Sequence, residues 1–312
     1  MNLRDLRYAV AVADLGHFGR AAEACHIGQP TLSAQIKKLE ESLGITLFER
    51  TKRSVRITPD GEAVLAEARL LLASAERIQD IARARTDPLR GELSLGLIPT
   101  IGPFLTPILL PSLRHNLPDL ALSLTERTTS RLEADLLAGT LDAAILATEP
   151  TDPKLTSIPL FTEPFRVALP RGHRLEAQDE IRLADLADDT LLLLEEGHCM
   201  SDQIQGFCAH ALEVGASDRK VHPARVSTRH TSLMTVLALV GAGRGVTLVP
   251  ALSLQGSWLT DTGIIIRKEA NGEAARLVRL VFRSAYPRRA LLEKLADILA
   301  AIVPDTVQPE RR

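Results

Sequence analysis

The residues with the greatest capacity for chemistry lie between positions 197 and 208, where a histidine precedes the first of two cysteines. His198 and Cys199 are adjacent, and Cys208 follows nine positions after Cys199. A cysteine reacts as its thiolate, so a reactive cysteine needs a lowered pKa. The start of a helix favours the thiolate, because unpaired backbone N–H groups and the helix dipole attract negative charge. This segment is therefore a candidate redox site.

The spacing of the two cysteines limits how they can react together. Nine residues of continuous helix rise roughly 13–14 Å, whereas a disulfide requires Cα atoms within about 7 Å of each other. If the segment is helical when both thiols are reduced, a disulfide must break the helix. Peroxide oxidation of Cys199 to a sulfenic acid, resolved by Cys208, would then couple chemistry to a local rearrangement.

Other interpretations of the same residues stay open at this level. Two cysteines in an α/β core often serve only as small packed hydrophobic side chains. A metal site built from His198, Cys199, Cys208 and His210 would have a spacing that matches no common zinc motif. Catalytic Cys–His chemistry would need a third partner that the sequence does not place. The remaining cysteine, Cys25, is predicted to be buried and inert.

Composition limits the class of protein. The 312 residues suffice for two domains, each with its own core. A formal net charge of −2 requires any nucleic-acid-binding surface to be local. No apolar run is long enough to cross a membrane, and the N-terminus has no signal-peptide pattern. We expect a cytoplasmic protein with reduced thiols, no membrane association and no cofactor or metal.

The first part of the chain predicts a DNA-binding unit. Short helices near residues 3–15, 18–25 and 29–44 surround a tight turn, which fits a helix-turn-helix. Segments 46–50 and 54–57 then flank a basic tip that carries four cations and no acid, a charge suited to phosphates. The candidate DNA-binding residues are Gln29, Pro30, Thr31, Ser33, Gln35, Lys38, Arg50, Lys52 and Arg53, with Arg56 completing the basic tip.

After a long predicted helix from about residue 62 to 85, the pattern changes at 87–91. From residue 92 onward, strands alternate with helices, which predicts a mainly parallel, layered α/β domain. The alternation includes strands at 92–98, 120–125, 142–147, 165–169, 191–194, 246–249 and 277–282, and a final helix at 288–302.

Residues 1–61 resemble the DNA-binding domain of LysR-type regulators. The resemblance rests on Phe-Gly-Arg-Ala-Ala-Glu at 18–23, Gln-Pro-Thr-Leu-Ser at 29–33, Leu-Phe-Glu-Arg at 47–50 and Thr-Pro-Asp-Gly at 58–61. It implies a winged helix-turn-helix (1–61), a dimerising linker helix (62–86), a hinge (87–91), a two-lobed regulatory domain resembling periplasmic binding proteins (92–303) and a tail (304–312). It also implies a double-stranded DNA operator, a homo-oligomer that is a dimer of dimers, and RNA polymerase as a further partner.

A second resemblance, to the peroxide-sensing members of that family, extends along nearly the whole chain. It is carried by Gly-His-Cys at 197–199, Asp-Gln at 202–203, Gly-Phe-Cys at 206–208 and Gly-Leu-Ile-Pro-Thr at 96–100. It implies hydrogen peroxide as the ligand, Cys199 as the residue that reacts with peroxide, Cys208 as the resolving residue and a thiol reductant for recycling. The implied peroxide pocket contains Thr100, Thr129 and His198, with Arg276 in support. Ser201 departs from the family, which often has arginine at that position.

Two other function classes compete with a peroxide-responsive regulator. A LysR-type regulator gated by a small metabolite between the lobes would have no need of the cysteine pair. A thiol peroxidase would need no DNA-binding wing. We therefore expect a regulator rather than an enzyme.

The basic tip generates a prediction about DNA binding. Arg53→Ala should weaken binding to all DNA sequences alike, because a phosphate contact carries no sequence information. The plot of log affinity against log salt should become shallower by about one unit for the lost contact. Binding titrations at several salt concentrations measure both quantities. An unchanged slope together with lost sequence preference would reject the phosphate role.

Overall fold

The computed structural model describes residues 1–50, 55–84, 88–195, 197–215, 225–230, 232–255 and 262–310. Lys52 and Arg53 of the predicted wing lie outside these residues, as do residues 85–87, where the predicted linker meets the hinge. The chain divides into two units, one centred on residues 1–86 and the other on residues 87–312.

The first unit contains the elements that the sequence predicts, with small shifts at their ends. In chain order they are α1 (Leu3–Leu15), α2 (Phe18–Ala24), α3 (Gln29–Leu43), β1 (Phe48–Arg50), β2 (Val55–Ile57) and α4 (Pro59–Ala84). Helix α4 begins three residues earlier than predicted, with a proline in its first turn, where a missing N–H costs nothing.

The second unit alternates strands and helices. Its elements are β3 (Gly91–Leu97), α5 (Gly102–Asn116), β4 (Leu120–Glu126), α6 (Thr129–Ala138), β5 (Ala143–Leu146), β6 (Leu155–Pro170), β7 (Glu180–Ile181), β8 (Thr190–Leu194), α7 (Cys199–Gly215), β9 (Arg225–His230), α8 (Leu233–Gly241), β10 (Thr247–Pro250), β11 (Ile264–Glu269), β12 (Ala275–Arg283), α9 (Arg289–Ile302) and β13 (Gln308–Pro309).

A side chain of α3, the helix that carries most of the candidate DNA-binding residues, fixes the start of the wing, which is the hairpin of β1 and β2. The Glu40 carboxylate on α3 accepts hydrogen bonds from the backbone N–H groups of Leu47, at 2.8 Å, and Phe48, at 3.2 Å. Leu47 and Phe48 are themselves buried in the core of this unit. Strand β1 is therefore held against α3 by both packing and charge-assisted hydrogen bonds.

The apolar stripe of α4 is divided between two uses. Ala68 is buried in the core of the DNA-binding unit, and Val64 and Leu72 pack against that core. These three residues of the predicted dimerising linker helix are therefore used within one chain. Leu71 and Ile78 remain exposed, with 48% and 70% of their surface accessible. The exposed part of the stripe is thus narrower than its apolar pattern indicates.

The main sheet of the second unit is mixed rather than mainly parallel, which corrects the expectation from sequence. Its strands follow the order β4-β3-β5-β12-β6-β11-β7, with β10 and β13 also paired to β6. The pairs β3–β4 and β3–β5 are parallel, whereas β12 pairs antiparallel with both β5 and β6. The antiparallel pairs arise because β6 and β12 run in opposite directions through the middle of the sheet.

Two separate cores define the two lobes of this unit. We call lobe I the core built around β3, α5, β5 and α9, and lobe II the core built around β8, α8 and β10. Strand β6 leads from lobe I to lobe II, and β12 leads back to lobe I. The predicted tail is also attached: Val307 is buried in lobe I, and β13 pairs with β6.

The contact between α3 and the wing generates a prediction. Glu40→Ala should speed amide hydrogen exchange of Leu47 and Phe48 by roughly tenfold or more, because hydrogen bonds to charged groups contribute about 1.5–3 kcal/mol. Hydrogen exchange followed by mass spectrometry or NMR measures the change. Glu41→Ala is the matched control, since Glu41 lies next to Glu40 in the sequence but forms an exposed pair with Lys37. Equal exchange in both variants would contradict this role of Glu40.

Candidate functional site

The candidate site is a small cleft where three loops of the second unit meet. Two of these loops follow the carboxyl ends of neighbouring parallel strands, β3 and β4, and the third connects β8 to α7. Carboxyl ends of parallel strands are where α/β proteins commonly bind ligands. The lining residues are Ile98, Pro99, Thr100, Thr128, Thr129, Gly197, His198, Cys199 and Met200.

The cleft brings together residues that are far apart in the sequence. Thr100, Thr129, His198 and Cys199 all line it. Thr100 and His198 are buried, at 2% and 8% exposure. Cys199 is the first residue of α7, a 17-residue helix, and the N-terminal end of a helix favours negative charge such as that of a thiolate. The structure therefore assembles the set of pocket residues that the resemblance implied.

The two cysteines occupy different lobes. Cys199 packs against the core of lobe I, whereas Cys208, in the same helix, packs against the core of lobe II. Because α7 is continuous from Cys199 to Gly215, the nine intervening steps separate the two residues by roughly 13–14 Å along the axis. Both are free thiols in this state. Cys208 is half-buried, and loss of solvent around its thiol raises the pKa of that thiol to about 11.

Arg276 lies behind the cleft and donates two hydrogen bonds to Thr100. Its Nη1 donates to the Thr100 hydroxyl at 2.9 Å, and its Nη2 donates to the Thr100 carbonyl at 3.3 Å. Its Nε donates to Glu163 at 2.8 Å, and neither side chain of this ion pair is exposed. The guanidinium also lies 5.5 Å from the centre of the Phe165 ring.

These bonds determine what the threonine hydroxyls can do. An arginine only donates, so the Thr100 hydroxyl accepts from Arg276 and keeps its own proton for another acceptor. Thr100 does not cap the helix that follows it, because the cap residue of α5 is Ile101. The Thr129 hydroxyl is buried and has no hydrogen-bond partner among the described residues. Two hydroxyl groups thus border Cys199 with hydrogen-bonding capacity to spare.

Helix α7 is tied to its surroundings by side chains between the cysteines. The Ser201 hydroxyl donates to the Leu194 carbonyl at 2.9 Å. The Gln203 amide donates to the Ala147 carbonyl in lobe I at 2.7 Å. Met200 and Ile204 are fully buried. Unwinding this part of the helix therefore removes both packing and hydrogen bonds.

One residue of the helix works against its stability. Gly206 lies in the middle of α7, is exposed, and has no atom within 4 Å of the position where a Cβ would be. Packing therefore does not require glycine at this position. Glycine in a helix interior costs roughly 0.5–1 kcal/mol relative to alanine. The segment between the two cysteines is thus weaker than its burial alone suggests.

Sequence reasoning missed Glu163 altogether, and it assigned Phe165 and Phe207 no place beside Arg276. Glu163 is fully buried and holds Arg276, and Phe165 contacts both Arg276 and Phe207, whose ring centre is 5.5 Å from its own. The sequence does contain a signal for Glu163, because this charged residue lies in a strand whose other residues are mostly apolar. Only the register of β6 against β12, which places Glu163 opposite Arg276, identifies its partner.

The predicted DNA-binding residues of α3 lie largely at the surface. Gln29, Pro30, Thr31 and Lys38 are exposed, whereas Ser33 and Gln35 are half-buried. Arg56 of the basic tip is also exposed. Arg50 lies at the end of β1, and Lys52 and Arg53 are outside the described residues.

The other predictions about this chain concern its thiols, metals and membranes. Cys25 is half-buried rather than buried, and burial raises its pKa. Within the described ranges, no group of three or more His, Cys, Asp or Glu residues is placed to hold a metal ion. In the part of the chain that the structure describes, every helix is too short or too polar to cross a membrane.

Two family models match this chain. The model for a bacterial regulatory helix-turn-helix protein of the lysR family matches residues 3–62. The model for the LysR substrate binding domain matches residues 86–303. The matched ranges correspond to the two units of the fold. The chain therefore belongs to the LysR family of bacterial regulators.

Within that family, the similarity is strong to proteins named OxyR. The DNA-binding transcriptional dual regulator OxyR of Escherichia coli (strain K12) is 40% identical over 301 residues, which cover 96% of this chain and 95% of that protein. Full-length OxyR from Pseudomonas aeruginosa, solved with aspartate in place of one cysteine, has a TM-score of 0.73 at 36% identity and covers 100% of this chain and 98% of its own.

A third relative was solved with a ligand. A cysteine mutant of Corynebacterium glutamicum OxyR with hydrogen peroxide bound has a TM-score of 0.65 at 35% identity. The match covers 96% of this chain and 92% of that one. The likeness to OxyR proteins therefore includes both the DNA-binding unit and the unit that contains the cleft.

The burial of Cys208 generates a prediction. At pH 8, a brief iodoacetamide pulse should label Cys208 about a hundredfold more slowly than a thiol of ordinary pKa, because so little of it is thiolate. Mass spectrometry of the digested protein measures the labelling, and urea-unfolded protein, in which all three cysteines should react, is the control. Rapid labelling of Cys208 in the folded chain would contradict its burial.

The same burial has a consequence for stability. The pKa of the folded thiol lies above its ordinary 9.0, so the unfolded thiol ionises first as pH rises. The contribution of this thiol to stability is therefore complete below pH 9.0 and declines between 9.0 and about 11.

Proposed function

We propose that this protein is a cytoplasmic, DNA-binding transcription regulator that senses hydrogen peroxide through Cys199 and controls oxidative-stress genes. The observation that carries the proposal is the cleft where Cys199, at a helix N-terminus, is bordered by the hydroxyls of Thr100 and Thr129. The family and the similarity to OxyR proteins support the same conclusion.

The first chemical step is oxidation of Cys199. Its thiolate attacks one oxygen of hydrogen peroxide, an S–O bond forms, the O–O bond breaks, and hydroxide leaves and is protonated to water. Sulfur is oxidised to a sulfenic acid and peroxide is reduced. The leaving oxygen gains negative charge in the transition state, so positioned donors accelerate the step. Thr100 has a proton available, and the free hydroxyl of Thr129 can hold the second oxygen.

The second step is resolution by Cys208. Its thiol attacks the sulfenic sulfur, the S–S bond forms, the S–O bond breaks and water leaves. This step is impossible while α7 is a continuous helix, because the two Cα atoms are too far apart. Formation of the disulfide therefore removes the intervening residues, including Met200 and Ile204, from their helical positions.

That rearrangement supplies the regulatory response. Burial of each apolar side chain of this size contributes about 1.5–3 kcal/mol, so leaving the helix costs several kcal/mol that the disulfide must offset. Cys199 packs on lobe I and Cys208 on lobe II, so bringing the sulfurs together alters the contacts of both lobes. The reduced and oxidised proteins thus present two distinct states from which DNA binding can be regulated. A thiol reductant restores the reduced state.

Cysteine substitutions test this mechanism. Cys199→Ser should abolish any change of the DNA footprint on peroxide treatment, because the reacting sulfur is gone. Cys208→Ser should leave a sulfenic acid at Cys199 that a dimedone reagent traps. Mass spectrometry of peroxide-treated protein, run beside DNA footprinting, measures both. If Cys199→Ser still responds to peroxide, or if oxidised wild-type protein contains no 199–208 linkage, a regulator gated by a small metabolite replaces this proposal.

We further propose that the protein acts as a dimer of dimers paired through the exposed face of α4, where Leu71 and Ile78 are seven residues apart. Two chains would place two recognition helices on a two-fold operator. The double variant Leu71→Asp, Ile78→Asp should sediment as a smaller species at micromolar concentration and bind DNA more weakly. Ala66→Asp, which adds charge at an exposed position off the stripe, is the control. Full DNA affinity in a monomeric variant would refute the proposal.

A further inference from the structure

A buried hydrogen-bond network behind the cleft centres on Glu163, which is not one of the residues that line the cleft. Its Oε2 accepts from Nε of Arg276 at 2.8 Å and lies 2.8 Å from Nη2 of the same side chain. Its Oε1 accepts from the backbone N–H of Leu252 at 2.7 Å. Both carboxylate oxygens are thus used, and the side chain is fully buried.

The position of Glu163 follows from strand register. Glu163 of β6 stands directly opposite Arg276 of β12, in the antiparallel pair that joins the two lobes. Leu252 belongs to a short 3-10 helix, Ala251–Leu254, that follows β10. Three segments of the chain therefore hold this carboxylate in one place.

Glu163 in turn determines where the guanidinium of Arg276 points. Its Nε and Nη2 face Glu163. In this orientation Nη1 donates to the Thr100 hydroxyl, and Nη2 also donates to the Thr100 carbonyl. The hydroxyl is thereby fixed as an acceptor on the arginine side, and its proton is available to the cleft. Without the carboxylate, the guanidinium would have no buried counter-charge here and would turn toward other acceptors.

We infer that Glu163 is a positioning residue for peroxide reduction: it holds Arg276 so that the Thr100 hydroxyl donates into the cleft, toward the oxygen that leaves when Cys199 is oxidised. The inference rests on the proposed function. It assigns a role to a residue that does not line the cleft where peroxide would react. It predicts a selective defect. Reduction of peroxide needs an oriented donor, whereas alkylation of the same thiol by iodoacetamide needs only an accessible thiolate.

The test compares these two reactions at Cys199 in full-length protein carrying Cys208→Ser. In Glu163→Gln, the rate constant for sulfenic acid formation by hydrogen peroxide should fall by about tenfold or more, and the alkylation rate should stay within roughly twofold of the parent. Asp142→Asn is the matched control, because Asp142 also accepts a backbone N–H and faces an arginine, but lies away from the cleft. It should change neither rate.

A double-mutant cycle shows whether Glu163 acts through Thr100. In a Thr100→Val background, Glu163→Gln should slow the peroxide reaction little further, because the donor is already absent. Glu163→Asp, which keeps the charge, should retain most of the rate and decides the matter if Glu163→Gln does not fold. Unchanged peroxide rates, or equal loss of both reactions, would overturn the inference. A parent protein unreactive toward peroxide would overturn the proposed function instead.

Discussion

A continuous helix that keeps two thiols apart is the constraint on which this structure depends. While α7 is intact, Cys199 and Cys208 belong to different cores and cannot react with each other. The helix is maintained by its buried face and by bonds from Ser201 and Gln203 to neighbouring strands. In the reduced state, packing and hydrogen bonds stabilise α7. Formation of the disulfide must therefore offset the free energy lost when those contacts break.

The cleft depends on a second structural element, the pair of strands that connects the lobes. Strands β6 and β12 carry Glu163 and Arg276, and Arg276 of this ion pair contacts the cleft residue Thr100. The Phe165 ring beneath Arg276 also contacts Phe207, the neighbour of Cys208. The surroundings of the two cysteines are thus joined by a short chain of direct contacts that passes between the lobes.

Much of the fold and part of the site could be predicted from the sequence. Helical periodicity and turn residues located the DNA-binding elements to within a few residues, and the Gly-His-Cys segment predicted two of the residues that line the cleft. Strand β6 was recognised only over 165–169, because prolines at 159 and 164 interrupt its pattern, although they lie within a continuous strand. The mixed sheet and the role of Glu163 depend on strand register, which separations of more than a hundred residues conceal from a sequence pattern.

The weak centre of α7 bears on how the protein survives its own ligand. A sulfenic acid that waits too long meets a second peroxide molecule and becomes a sulfinic acid, which ordinary thiols do not reduce. Resolution by Cys208 must outrun that damage, and it cannot begin until the helix between the cysteines opens. Gly206, exposed and without a packing role, lowers the free-energy cost of opening that segment. Under the proposed mechanism, the residue that lowers the stability of the reduced helix would therefore also shorten the exposure of the sulfenic acid to further peroxide.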